Sequence, residues 1–566
     1  MSRLTLHFLL SIALIAQVSQ AALASSPAPV RARHAMVVSA DRLASEAGLE
    51  ILKKGGSAVD AAVAVGFVLA VVFPEAGNIG GGGFMLIRKK GGEAVVIDFR
   101  EKAPGASQRT MYIDSAGNVT DKTLIGQLAA GVPGTVAGLL KALHDYGTMS
   151  PRDVLRPAID LARNGFVVDR RLERSLESCK TDMSGFQATM SVFTRNGVLL
   201  KEGDTLRQPD LTATLSRIQE RGTEGFYKGE TARLILEEMR RGGGIMTQKD
   251  LEDYQAIVRE PVKGSYRGYE ILSAPLPSSG GLCVLEILNI MEGYDLASMG
   301  WHSSLSVHLM AESMRRVYAD RAEFMGDPRY VDAPVRALIS KPYAGERRRE
   351  IDPSRAAESA SVRHGSPQGN EGRHTTHYCT VDESGTIVST TYTLNDLFGC
   401  KALVGGAGFL LNDEMDDFSA KPGVPNAYGL IGGDANAIAP GKRPLSSMTP
   451  TIVLKDSRPF LALGARGGSK IITAVVQAIS NVIDFGMGPQ EAVDAPRFHH
   501  QWMPDTLVYE KFCFPRDVIQ NLEQKGHRLW ESDGPLGELE AIAFDTAQGW
   551  MYGAPDSREG GVAVGY

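Results

Sequence analysis

The chain has 566 residues, and 60 Lys+Arg against 66 Asp+Glu leave a net charge of -6. No basic excess marks a nucleic-acid binder, and no charge run marks an interaction tail. A hydrophobic content of 43% is that of a globular protein with a real core, long enough for one large domain or several.

The first residues have a job of their own. Arg3 supplies a positive start, Phe8 to Ala16 is mostly apolar, and Ala22 to Ala24 is a small-residue cleavage site before Ser25, with Ala21 as another end. This pattern predicts a secretory signal peptide over residues 1–24, and a periplasmic or secreted product with no membrane attachment after its removal. The apolar run is short for a bilayer span, and no Cys follows the cleavage site to carry a lipid.

A second apolar run lies between Asp60 and Pro74. It is too short to span a membrane and is apolar all round, which predicts a helix buried in the core, capped by Asp60 and ended by Pro74. A glycine run, Gly77 to Ile87, leads into a strand. Ala94 to Glu101 alternates like another strand and ends on an Arg-Glu pair. From Gly131 to Glu350 the apolar spacing is mostly helical, as in "GTVAGLLKALHDYG" and "SLSVHLMAESMRRVYADRAEF".

The composition then shifts. Residues 353–374 contain no Phe, Trp or Tyr, and Val362 is their one branched aliphatic. Such a stretch reads as an exposed linker. Strands follow at Thr376–Val381, Ile387–Leu394, Thr449–Asp456 and Pro459–Ala465, helices at Ser469–Gly486 and Pro515–Gly526, and a last strand pair within Glu540–Asp556. Helices first, then strands with helices, predict layers of sheet and helix, an α+β class. The five cysteines, Cys179, Cys283, Cys379, Cys400 and Cys513, are odd in number, scattered and without metal-ligand spacing. They read as small core residues, at least one of them free.

The linker ends where "TTHYCTVDESGTIVSTTYTLN" begins. With Glu383, Ser384 and Gly385 as a three-residue loop, Asp382 faces Thr386 and counting back sets Thr375 opposite Thr393. Asn395 lies on the same face, two residues on. Two readings stand. Threonine favours strands; or the chain is cut between His374 and Thr375, so that a new N-terminal amine activates its own hydroxyl. Such an amine titrates at about 7.7–8.0, within reach of physiological pH.

"TTHYCTVD", "TYTLN", "NDEMDDFS", "KRPLSSMTPT" and "GARGGS", in this order, resemble the γ-glutamyltransferases (γ-glutamyl transpeptidases) of the N-terminal nucleophile hydrolase superfamily. "GNIGGGGFM", "DFREKAP", "GVPGTVAG" and "PLPSSGG" extend the likeness over nearly all the chain after the signal peptide. The resemblance implies a four-layer αββα sandwich. It also implies one precursor cut into a large subunit, 25–374, and a small catalytic subunit, 375–566, which stay together as a heterodimer. Thr375 is then the nucleophile for self-cleavage and turnover, and Thr393 orients it. Gly467 and Gly468 offer an oxyanion hole. Arg100, Ser446 and Ser447 hold the donor's α-carboxylate, while Asn395, Glu414 and Asp417 hold its α-amine. The loop 422–433, with Tyr428, is a lid. No metal or organic cofactor is implied. The partners are glutathione or another γ-glutamyl donor, and water, amino acids or dipeptides as acceptors.

The residue types agree with that chemistry, because a zwitterionic donor needs an Arg fork for its carboxylate and acids for its ammonium. Plainer readings exist for each: a surface Arg100–Glu101 pair, a solvated turn at Glu414, Asp416 and Asp417, a simple turn at Ser446–Ser447, and a strand-to-helix loop at "GARGGS". His499 and His500 are neighbours in a strand-like run and read as structural. One departure is Arg466, where many relatives carry proline before the glycine pair; it alters donor preference or points outward. The alternatives in function are an acylase acting on a cephalosporin or glutaryl side chain, and an uncut amino-acid-binding protein.

Overall fold

The computed structural model describes residues 26–365, 376–426 and 429–566. The signal-peptide reading, His374, Thr375 and Tyr428 lie outside the described residues. Two seven-stranded sheets form the centre. One runs in the order Val562–Gly565, Met36–Ser39, Thr376–Val381, Ile387–Thr393, Gly82–Arg88, Ala94–Asp98, Ile257–Arg259. The other runs Val30–Ala32, Trp550–Pro555, Glu538–Asp545, Arg458–Arg466, Thr451–Lys455, Tyr269–Ser273, Val262–Tyr266. Neighbouring strands in both are antiparallel.

Strand periodicity explains the layering. Successive side chains point to opposite faces. Phe84 and Leu86 meet Leu272, Ile452, Leu454 and Ala462 between the sheets. Met85 and Ile87, from the same strand, face outward into a core shared with helix Ala58–Val72. On the other sheet Ile271, Val453, Leu461 and Leu463 face outward onto helices Gly280–Met291 and Lys470–Ile483. Both faces of both sheets are thus covered, giving the four-layer αββα order. A strand covered on both faces is apolar throughout, which is why "GGFMLIR" shows no alternation.

The apolar run after residue 57 is the helix Ala58–Val72, buried along its whole length. Its N-cap is Ser57 rather than Asp60. Asp60 sits three residues inside, receives the Ser57 backbone N–H at 2.7 Å and completes a capping box. It also receives Thr148 N at 2.9 Å and Met149 N at 3.0 Å, tying the helix start to the next loop.

Two other expectations are corrected. The segment read as mostly helical also contains the strands Ile257–Arg259, Val262–Tyr266 and Tyr269–Ser273. They lie at or near sheet edges, and the half-exposed "VKGSY" lacks a strong strand pattern. The described part of the linker, 353–365, has no helix or strand, yet it is not simply exposed. Ala356, Ser359 and Val362 are buried. Its backbone borrows partners from elsewhere: Trp502 Nε1 donates to Ser359 O at 2.8 Å, and Ser359 N donates to Asp505 at 2.9 Å. Composition predicts whether a segment can order itself; it is silent on order supplied by neighbours. All five cysteines are buried and free. Among the described residues no helix is long and apolar enough to cross a membrane.

Candidate active site

The hairpin pairs as its turn predicts. Val381 faces Ile387 and Thr376 faces Tyr392. Gly385 adopts a φ of 87°, in the left-handed region, and its N–H donates to Asp382 O at 3.0 Å. The hairpin is pressed onto the second sheet. Ser389 Oγ donates to Leu463 O at 3.2 Å, and a Cβ on Gly464 would collide with the His377 ring. Burial pushes that imidazole down to about 3, so His377 is a neutral spacer, sharing a hydrogen bond with Thr391 Oγ1 at 2.8 Å.

Thr393 ends the second strand, opposite Gly82, and its Oγ1 accepts the Asn395 backbone N–H at 2.8 Å. Asn395 has a φ of 81°, a conformation that Asn tolerates better than most side chains. Its Nδ2 donates to Asp413 O at 3.1 Å and Oδ2 at 3.2 Å. Among the described residues its buried Oδ1 has no hydrogen-bond partner.

Arg100 follows the strand Ala94–Asp98 into the interior and is wholly buried. Nε donates to Pro444 O and Nη2 to Leu445 O, each at 3.1 Å. Nη1 lies 2.5 Å from Glu414 Oε2, and Nη2 pairs with Asp417. Glu414 and Asp417 bound the buried 3₁₀ turn Glu414–Asp417. The surface-pair and solvated-turn readings therefore fail: the expected carboxylate-binding cation and ammonium-binding acids meet in the interior. Burial alone would lower the Arg100 pKa, but Glu414, Asp417 and Glu101 outweigh it and hold the guanidinium charged. Burial drives Glu414 well above the carboxylate range despite Arg100.

Glu101 is pushed up by burial, against the pull of Arg100, from 4.5 to about 8. Between those values the folded chain keeps a proton that the unfolded chain releases. Stability therefore falls as pH rises from 4.5 to about 8. Glu101→Gln is expected to flatten the decline of the thermal midpoint across that window; an unchanged slope would refute the assignment.

The serines stand beside this cluster. Ser446 N donates to Pro277 O at 2.8 Å, and its Oγ accepts from Met448 N at 3.1 Å. Ser447 Oγ accepts from Arg321 Nη2 at 3.0 Å. Gly467 and Gly468 join the strand Arg458–Arg466 to the helix Lys470–Ile483, with φ values of 125° and 68°. A Cβ on Gly467 would lie 2.7 Å from Gly537 Cα, so only glycine fits. Asn395 and Gly467 line one cleft of about 410 Å³. Arg466 lines it too rather than pointing outward. In the loop 422–433, Gly423 N donates to Gly432 O at 2.8 Å and Asn426 N to Leu430 O at 2.9 Å. His499 shares hydrogen bonds with Thr473 Oγ1 and Gln501 Oε1, each at 2.9 Å, and buried His500 faces Asp505 at 3.5 Å. His500 Nδ1 accepts the Trp502 backbone N–H at 3.1 Å.

A model of the family described as Gamma-glutamyltranspeptidase matches residues 44–566. The chain belongs to that family. It is 48% identical over 532 residues to the glutathione hydrolase proenzyme of Escherichia coli (strain K12), covering 94% of this chain and 91% of that protein. It is likewise 48% identical over 554 residues to the glutathione hydrolase proenzyme of Pseudomonas sp. (strain A14), covering 96% of each. The crystal structure of cephalosporin acylase from Bacillus halodurans superposes with a TM-score of 0.85 at 28% identity, covering 96% of this chain and 98% of that one.

Membership makes this γ-glutamyltranspeptidase family protein an enzyme with hydrolase and transferase chemistry, and sets aside the non-catalytic amino-acid-binding reading. The structure adds residues that sequence reasoning passed over. Arg443 Nη1 donates to Asp98 Oδ1 at 2.8 Å and to Arg100 O at 2.6 Å, fixing the strand end that carries Arg100. Asn412 Nδ2 donates to Gly80 O and Gly131 O, each at 2.8 Å, joining two glycine motifs to the acidic turn. Arg321 Nε donates to Ser279 Oγ at 3.1 Å while Nη2 holds Ser447. Arg443 and Asn412 stand inside or beside family motifs and were open to notice. Arg321 lies in a plain helical stretch and carries no such signal.

Proposed function

We propose that the chain is a proenzyme that loses residues 1–24 on export to the periplasm or the exterior. It then cuts itself between His374 and Thr375 into subunits 25–374 and 375–566, which act together as a γ-glutamyltransferase and glutathione hydrolase. The Thr375 amine takes the proton of its own hydroxyl, directly or through water. The hydroxyl oxygen attacks the γ-carbonyl of glutathione or a related γ-glutamyl amide. Backbone N–H groups of Gly467 and Gly468 stabilise the oxyanion. The C–N bond breaks as the ammonium returns a proton to the leaving amine, and a γ-glutamyl ester remains on Thr375. Water releases glutamate; an amino acid or dipeptide amine takes the acyl group instead. Thr393 orients the nucleophile, and Tyr428 belongs to the lid.

The observation that carries this reading is the buried Arg100–Glu414–Asp417 cluster, beside an Asn395 Oδ1 that no described group satisfies. Charges this deep are costly unless paired. A γ-glutamyl donor brings one carboxylate and one ammonium, so it can exchange these internal pairs for its own, with Ser446 and Ser447 at the carboxylate side. A cephalosporin or glutaryl side chain without an α-amine leaves the acids unmatched. The cephalosporin acylase likeness favours that second reading, and comparing donors with and without the α-amine separates the two.

N-terminal sequencing of the smaller fragment should begin at Thr375, and the cut protein should hydrolyse a γ-glutamyl anilide. A fully active preparation consisting of one intact chain would sink the proposal. Gly467→Ala keeps the backbone N–H, but its Cβ would collide with Gly537 and push that N–H out of line, so kcat on that anilide is expected to fall by up to about 10²–10³-fold, the cost of one lost oxyanion donor. Single-turnover acylation would report the loss at the chemical step.

A further inference from the structure

The cleft beyond Gly467 holds charge that the donor clamp does not use. Arg466 ends its strand directly opposite Glu538 on the neighbouring one. Nε lies 2.7 Å from Glu538 Oε2, and Nη2 lies 2.7 Å from Oε1. The Phe73 ring centre is 5.1 Å from the guanidinium carbon. One edge of the fork is therefore locked and its plane is set. The other edge, Nη1 with the outer hydrogen of Nη2, is not taken: among the described residues no group accepts from Nη1. A guanidinium has two such edges, and each matches a carboxylate. The Arg466 side chain is 15% exposed.

Position gives this edge its meaning. Arg466 is the residue before Gly467, and both line the cleft that Asn395 enters from the donor side. If Arg100 and Asn395 hold the α-end of the donor, and Gly467 marks its γ-carbonyl, whatever is attached to that carbonyl must extend past Gly467. The cleft volume, about 410 Å³, is that of a site for a small peptide. A dipeptide leaving group puts its own carboxylate at most about 7 Å from the scissile nitrogen, two extended residues away. The same cleft is lined by Arg174, paired with Glu559 at 2.8 Å, and Arg171, paired with Glu75.

We propose that Arg466, oriented by Glu538, recognises the free α-carboxylate of the leaving group and sets a preference for γ-glutamyl peptides over donors whose leaving group lacks that carboxylate. Because the acceptor amine enters where the leaving amine departs, the same edge selects acceptors with a free carboxylate. This inference rests on the γ-glutamyl reading of the donor site.

The test compares two donors that differ in one group: a γ-glutamyl dipeptide with a free C-terminus and the same molecule amidated. The processed enzyme should favour the free acid. In Arg466→Met that ratio of kcat/KM values should fall about 10–100-fold, the range for losing a charge-assisted hydrogen bond. Arg466→Lys should retain part of the preference, and Glu538→Gln should weaken it by loosening the fork. A wild-type enzyme indifferent to amidation, or an Arg466→Met enzyme slowed equally on both donors, overturns the assignment. If the wild type cleaves neither these donors nor a γ-glutamyl anilide, the donor reading itself has failed, and this inference falls with it.

Discussion

Thr375→Ala is expected to migrate as one uncut chain and to lose γ-glutamyl-anilide hydrolysis by about 10⁴-fold or more, the scale on which removing a nucleophile acts. Both effects share one cause, since the proposed mechanism uses the same oxygen to break the bond at His374 and to attack the donor. Thr375→Ser keeps an oxygen and should give two fragments more slowly, with reduced turnover. Denaturing electrophoresis over time reads the first effect and anilide release the second. In the processed wild type, kcat/KM should climb with pH up to about 7.7–8.0, where an N-terminal amine gives up its proton. An uncut Thr375→Ala chain with wild-type turnover would remove the mechanism entirely.

Arg100→Met should damage both stability and donor binding. Arg100 pairs with Glu414 and Asp417 in the interior, with Glu101 3.4 Å away. Removing one partner of a buried ion pair costs about 3–5 kcal/mol, because the remaining charge is stranded. The thermal midpoint should therefore fall. Part of the loss should return on lowering the pH, as the stranded carboxyls take up protons. Donor capture should weaken as well: losing a two-point grip on a carboxylate is expected to reduce kcat/KM by about 10²–10³-fold. Arg100→Lys keeps the charge but cannot reach the Pro444 and Leu445 carbonyls with a planar fork, and should fall between the two. A variant of unchanged stability and unchanged KM would show that Arg100 is not the clamp.

Much of this molecule was legible before any coordinates. The helix Ala58–Val72 announces itself by being apolar on every side. The hairpin register follows from one glycine in its turn, since a loop of stated length leaves a single pairing. The family motifs name Arg100, Glu414 and Asp417, which stand over three hundred positions apart at the extremes, and the fold brings them into contact. Less visible were features without local pattern. Val262–Tyr266, at the sheet edge, is half-exposed and contains a glycine, so its strand character comes from its neighbour at Tyr269–Ser273. The described part of the linker takes hydrogen bonds from Trp502 and Asp505. Arg321 looks like any arginine of a helical stretch until its guanidinium is seen against Ser279 and Ser447.

The amino-acid sequence by itself determined the mix of sheet and helix, the hairpin and the inventory of chemical groups, because periodicity, turn chemistry and residue type act over a few neighbouring positions. Only the tertiary structure decided which charges meet: that Arg100 is buried against two acids, that Asn395 keeps an oxygen no described residue satisfies, and that Arg466 turns one edge to Glu538 and leaves the other to the cleft. Electrostatic pairing depends on distance and on exclusion of water. Neither exists until remote segments have packed together.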